Sequence, residues 1–136
     1  MKAVLRTLAG VVAGLVVLLL LIVAVELFSN LVHPFPPDFG GTQEEIIQHV
    51  ERYPTWSLAV VVPAWAMAAY ASTWTARRTG NLFASASVGL LLLAGLLCNM
   101  SMLPYPTWFE ITNLLAIPTA VIAGNCSLNR HQTIAA

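Results

Sequence analysis

The sequence predicts an all-α integral membrane protein: a bundle of four transmembrane helices, readable as two related hairpins, with a short amphipathic outer-surface helix between helices 1 and 2. Three observations predict it. The chain is 58% hydrophobic and only 9% charged, with a mean hydropathy of +0.78, whereas soluble domains carry about a quarter charged residues. Its apolar residues gather into four stretches, each close to or beyond the roughly 18 residues needed to cross a bilayer. The basic residues gather at one end of those stretches. Little chain is left over, so residues 1–136 read as a single membrane domain.

The first span covers 8–28, through AGVVAGLVVLLLLIVAV. Lys2 and Arg6 precede it as they would a signal peptide. The apolar stretch, however, exceeds the usual core of about 7–15 residues and no small-residue cleavage site follows, so it reads as a retained anchor. A proline-stiffened crossing, HPFPPDFGG, leads into an outer-side insertion over 37–52. Within it, Thr42-Gln43-Glu44-Glu45 fits a capping box. Ile46, Ile47, Val50 and Tyr53 share one helical face, leaving the rest to Glu44, Gln48, Glu51 and Arg52. That pattern predicts an amphipathic helix lying on the outer membrane face or lidding the bundle. The remaining spans cover 56–76, 82–103 and 108–126. Pro63 lies in the first turns of the second span. Pro118 lies deeper in the fourth, where its missing N–H interrupts the hydrogen-bond ladder.

Tyr53-Pro54-Thr55-Trp56 recurs as Tyr105-Pro106-Thr107-Trp108, 52 positions later. Each copy reads as the same outer-surface joint: a proline approach, a threonine N-cap, and Tyr and Trp at headgroup level. At the same offset Ala64, Ala68 and Ser72 match Ala116, Ala120 and Gly124. These are small-xxx-small stripes of the kind that lets membrane helices approach closely. Gly10 and Gly14 on the first span, and Ser85 and Gly89 on the third, put such a stripe on every helix. Duplication of a hairpin produces this echo; so does repeated use of Pro, Tyr and Trp at interfaces.

Lys2, Arg6, Arg77, Arg78 and Arg130 fall on the side holding both termini, and only Arg52 on the other, beside Asp38, Glu44, Glu45 and Glu51. By the positive-inside rule the N- and C-termini of this multi-pass protein are cytoplasmic. The overall balance is neutral and makes no case for nucleic acid. Cys98 and Cys126 belong at opposite depths, too far apart for a disulfide. No metal-ligand spacing, phosphate loop, nucleophile elbow or deep histidine is present, so no catalytic residue, metal or cofactor is expected.

An ionisable residue inside a span is a functional candidate. Glu26 is the acid of the first span, and Asn30 and His33 follow on the same helical face. Asn99, Glu110 and Asn113 come from other helices at similar depth. If these faces converge, they form an outer-side site for a ligand or a proton. Structural roles compete for the same residues. Glu26 could clamp helices by hydrogen bonding, Glu110 closes a T-x-x-E capping box with Thr107, and His33 beside Pro34 suits the headgroup surface. Glu45 and His49 read as a helix-surface pair rather than half a metal site. Trp65 and Tyr70 suit a hydrophobic pocket, core packing or lipid.

With VELFSN at the end of the first span, HPFPP at its exit and PYPTWFE at the start of the fourth, the chain resembles the small, uncharacterised four-span proteins of bacterial inner membranes. The resemblance implies the architecture and no activity. Small multidrug exporters also carry a Glu in their first span, near its middle and with short loops; Glu26 is displaced outward and followed by an insertion. The leading expectation is a non-enzymatic accessory or assembly subunit, packing through its stripes against partner membrane proteins or itself. The alternative is a small transporter or ligand-binding protein with its site at Glu26; a lipid-modifying membrane enzyme is third.

Overall fold

A computed structural model describes residues 1–134, with side chains as far as Ser127. Its helices are α1 Lys2–Val32, α2 Gln43–Glu51, α3 Thr55–Thr79, α4 Leu82–Met102 and α5 Thr107–Ile134, with no strand among the described residues. Four of them, α1, α3, α4 and α5, are long and apolar enough to cross a membrane, the architecture of a multi-pass membrane protein. Several run beyond their apolar limits, α1 starting at Lys2 rather than Leu8 and α3 ending at Thr79. Backbone polar groups near a bilayer still need partners, and continuing the helix supplies them. The Arg130 side chain lies outside the described residues.

α3 is the central element. It packs along α1 and along α5, whose backbones stay apart among the described residues, and α4 approaches all three. α1 and α4 run from the termini end toward the α2 end, and α3 and α5 run back, so the α3–α5 pair is parallel.

The termini end closes on small residues. A Cβ on Gly10 would stand 2.6 Å from the Gly80 Cα, and one on Gly14 2.9 Å from the Ser72 carbonyl oxygen. One on Gly89 would stand 2.7 Å from Val121, and one on Gly124 would collide with the Thr73 hydroxyl. Ala68, Ser72 and Ser85 are buried in the same packing, while Ala64, Ala116 and Ala120 are half-buried. Hydrogen bonds reinforce it. The Asn81 amide donates to the Thr7 hydroxyl at 2.7 Å, its carbonyl caps α4 at the Ala84 N–H, and the Ser85 hydroxyl donates to the Thr73 carbonyl at 2.7 Å. Toward the α2 end the core changes to larger side chains, with Val25, Leu58, Val61, Val62 and Phe109 in one cluster.

The two YPTW joints fold alike, though not with the threonine cap expected from the sequence. The N-cap of α3 is Pro54, and Thr55 is the first helical residue with no side-chain cap. The Pro54 carbonyl accepts from the N–H groups of Ser57 and Leu58, as the Pro106 carbonyl does from Phe109 and Glu110. Proline's fixed φ suits this half-extended position, and its missing N–H is no loss there. The shift by one residue also removes Glu110 from the third helical position, where a capping box with Thr107 would need it.

The capping box of α2 is formed. The Thr42 hydroxyl accepts from the Glu45 N–H at 3.3 Å, and Glu45 Oε2 accepts from the N–H groups of Thr42 and Gly40 at 2.9 and 3.1 Å. These bonds, that from Thr42 first, hold the Glu45 carboxyl below the usual carboxylate range. Glu45 is thereby committed to the helix start and His49 is buried, so the surface pair expected between them does not form.

Candidate functional site

The backbone of α2 approaches none of the long helices closely. Between it and the helices lies a cavity of 190 Å³. Ile46, His49 and Val50 line it from α2, Glu26 and Ser29 from α1, Trp65 from α3, and Asn99 from α4. Tyr53 and Tyr105 enter it from the two joints, each one residue before its capping proline. The placement of Glu26 follows from helix geometry. Gly10, Gly14, Leu18, Val25 and Ser29 are the buried positions of α1. Glu26 is turned about 100° from Val25, which leaves it exposed at the margin of that stripe, with one side toward the cavity.

A second cavity, of 290 Å³, lies between α1 and α4. Leu18 and Ile22 line one side, Leu91, Leu92, Gly95 and Leu96 the other, with Ala68 and Ile117 behind. A Cβ added at Gly95 would meet nothing within 4 Å. Glu26, Trp65 and Asn99 line both cavities, so the apolar space and the polar one meet at these three residues.

Among the described residues Glu26 is the only Asp, Glu, Lys or Arg lining either cavity. Burial first, and the Glu26 carboxylate second, push the Tyr105 phenol up to about 12, against a hydrogen bond from Asn99. The Tyr53 phenol is raised by the same two causes in the same order. Both therefore stay neutral and offer hydroxyls and ring faces. Three buried polar atoms here have no hydrogen-bond partner within the protein: Asn99 Oδ1, Trp65 Nε1 and His49 Nε2. Each such group forfeits about 1–3 kcal/mol unless something satisfies it.

His33 and His49 build the cover. His33 Nε2–H donates to the His49 carbonyl at 3.2 Å, which assigns the proton of His33 to that nitrogen. Their rings stack at 4.3 Å, and Phe35 stacks on the other partner, His49, at 4.2 Å. Tyr53 closes the group at 4.7 Å from His33. Burial and then the His33 charge lower the His49 pKa.

Of the residues singled out in the sequence, Glu26 and Asn99 come together. Asn30 is exposed and lines neither cavity. His33 is the C-cap of α1, with φ −138°, so the helical face extrapolated from Glu26 ends before it. Glu110 is half-buried and Asn113 fully buried on α5, and neither reaches the cavities. Asn113 Nδ2 donates to the Phe109 carbonyl at 2.9 Å, leaving its Oδ1 without a partner. Sequence reasoning missed Ser29, His49 and the two tyrosines, although the repeated Tyr-Pro joint was the signal that placed the latter. Cys98 and Cys126 are free and exposed, and no group of three metal-binding side chains occurs among the described residues. No family model, curated protein or solved structure matches the chain.

Proposed function

We propose that this chain is a ligand-binding protein of the bacterial cytoplasmic membrane, with both termini cytoplasmic and a polar site on the outer side centred on Glu26. In this reading α2 is an amphipathic lid over that site. The observation that carries it is the cavity beneath α2, where one carboxylate stands among unpartnered polar atoms of Asn99, Trp65 and His49. A carboxylate serving only as a clamp would be expected to have a hydrogen-bond partner on another helix, and none is found for Glu26 among the described contacts. The orientation is supported by Lys2, Arg6, Arg77 and Arg78 at one end and by Asp38, Glu44, Glu45 and Glu51 at the other. The accessory-subunit reading drew on the small-residue stripes. Gly10, Gly14, Gly89 and Gly124 are occupied by contacts inside the chain, which leaves that reading the outer amphipathic helix as its other support.

One experiment weighs both readings: purification in a neutral maltoside detergent, then native mass spectrometry of the wild type and Glu26→Gln. We expect a small-molecule adduct on the wild type that Glu26→Gln loses while still melting cooperatively. An adduct held equally by both proteins, or a wild type found only as a complex with another protein, overturns the proposal.

A further inference from the structure

We infer that the ligand is a membrane amphiphile with an ammonium head and a linear hydrocarbon chain, the head beneath α2 against Glu26 and the chain in the cleft between α1 and α4. This rests on reading the Glu26 cavity as a binding site, and it assigns the second cavity as part of that site.

The two cavities differ in chemistry and share a seam. Toward α2 the lining sets Glu26, Asn99, His49 and two tyrosines among apolar side chains; toward the bilayer interior it is mainly leucine and isoleucine, with a glycine that leaves open space. Taken together they reach the lower part of the range of about 300–1,000 Å³ typical of small-molecule sites. A water-soluble ligand would leave the apolar part unused, and an alkane would leave the carboxylate and the unpartnered polar atoms unanswered. An amphiphile fits both, with its polar–apolar boundary at Glu26, Trp65 and Asn99.

The charge of the head follows from the lining. Among the described residues no Lys or Arg lines either cavity, and burial lowers the His49 pKa, so a phosphate or carboxylate head meets no fixed positive charge. An ammonium finds one in Glu26. It can also donate to Asn99 Oδ1, which has no partner. Tyr53, Tyr105 and Trp65 line the same space and add the aromatic surroundings that favour a cation.

The test uses the full chain in neutral maltoside detergent with dodecylamine carrying a photoreactive diazirine near its chain end, the labelled peptides being mapped by mass spectrometry. Label is expected on the α1 and α4 segments around Leu18–Ile22 and Leu91–Leu96. Unlabelled dodecylamine should compete at least about tenfold better than dodecanol, dodecyl phosphate or butylamine, the discrimination one charge-assisted contact or a buried chain supplies. Glu26→Gln should weaken dodecylamine about tenfold and leave dodecanol unchanged. Gly95→Leu fills the cleft in open space and should weaken dodecylamine by a similar factor; Gly95→Ala replaces it if the larger variant fails to fold. Equal competition by dodecanol or dodecyl phosphate overturns the ammonium assignment. Equal competition by butylamine, still dependent on Glu26, overturns the seat for the chain while the Glu26 site stands. Labelling indifferent to Glu26 overturns the site itself.

Discussion

At the α2 end, His49 is buried between Phe35 and His33, and both burial and its neighbour's charge lower its pKa below the ordinary value of about 6.5. His33 and Arg52 are the charged or titratable groups acting on it. A histidine held neutral in the fold takes up a proton more readily once unfolded. Its contribution is therefore complete above about pH 6.5 and is lost as pH falls through the lowered folded value. Thermal melts in detergent should stay level above that point and decline below it, and His49→Phe should remove the decline. If His49→Phe shows the same decline, another group is responsible. Glu45, also lowered, belongs to a separate window at more acidic pH. The residue scale is also where sequence reading stopped short. Glu26 was legible because an acid in an apolar run stands out. The residues that line the cavity with Glu26 were not, because Tyr53, Tyr105 and His49 are ordinary residues for a membrane surface. Only the return of both joints over the same cavity turns them inward.

Elements were the most legible level. The four long helices follow from hydropathy alone, and the capping box of α2 from Thr42 and Glu45. Facing was harder to read, since α1 is apolar all round and its lipid side and core side carry the same residue types. Glycines mark the core side instead. Gly14→Ala should therefore destabilise by about 1–3 kcal/mol, through a Cβ forced against Ser72 and Ala76. Gly95→Ala, in open space, should be neutral or stabilising by up to about 1 kcal/mol. Unfolding by sodium dodecyl sulfate in mixed micelles measures both. The helix starts give a sharper contrast. Thr42→Ala should cost about 1 kcal/mol of α2 stability, while Thr55→Ala and Thr107→Ala should stay within about 0.5 kcal/mol, because proline carbonyls make those caps. Amide hydrogen exchange, helix by helix, separates these outcomes. Matching losses at all three threonines would restore the side-chain cap at the joints.

For the whole molecule, the ends differ in charge and in packing. Lys2, Arg6, Arg77 and Arg78 gather where the glycines close the bundle, and the acids gather around α2. A green fluorescent protein fused after residue 136 should fluoresce in bacterial cells, and alkaline phosphatase placed there should stay inactive; the reverse pair would turn the proposed orientation over. The same asymmetry has a mechanical side. α1 is pinned at Gly10 and Gly14 against Ala76 and Gly80, whereas beyond Leu18 it borders the cleft. From Gly14 to Glu26 the helix is a rigid arm of about 18 Å, so a swing of about 10° at the pin moves the carboxylate by about 3 Å. The glycine contacts thus stand where a fulcrum would. A larger residue there would be felt furthest along the arm, at Glu26, with Val25 and Ser29 in the core to resist it.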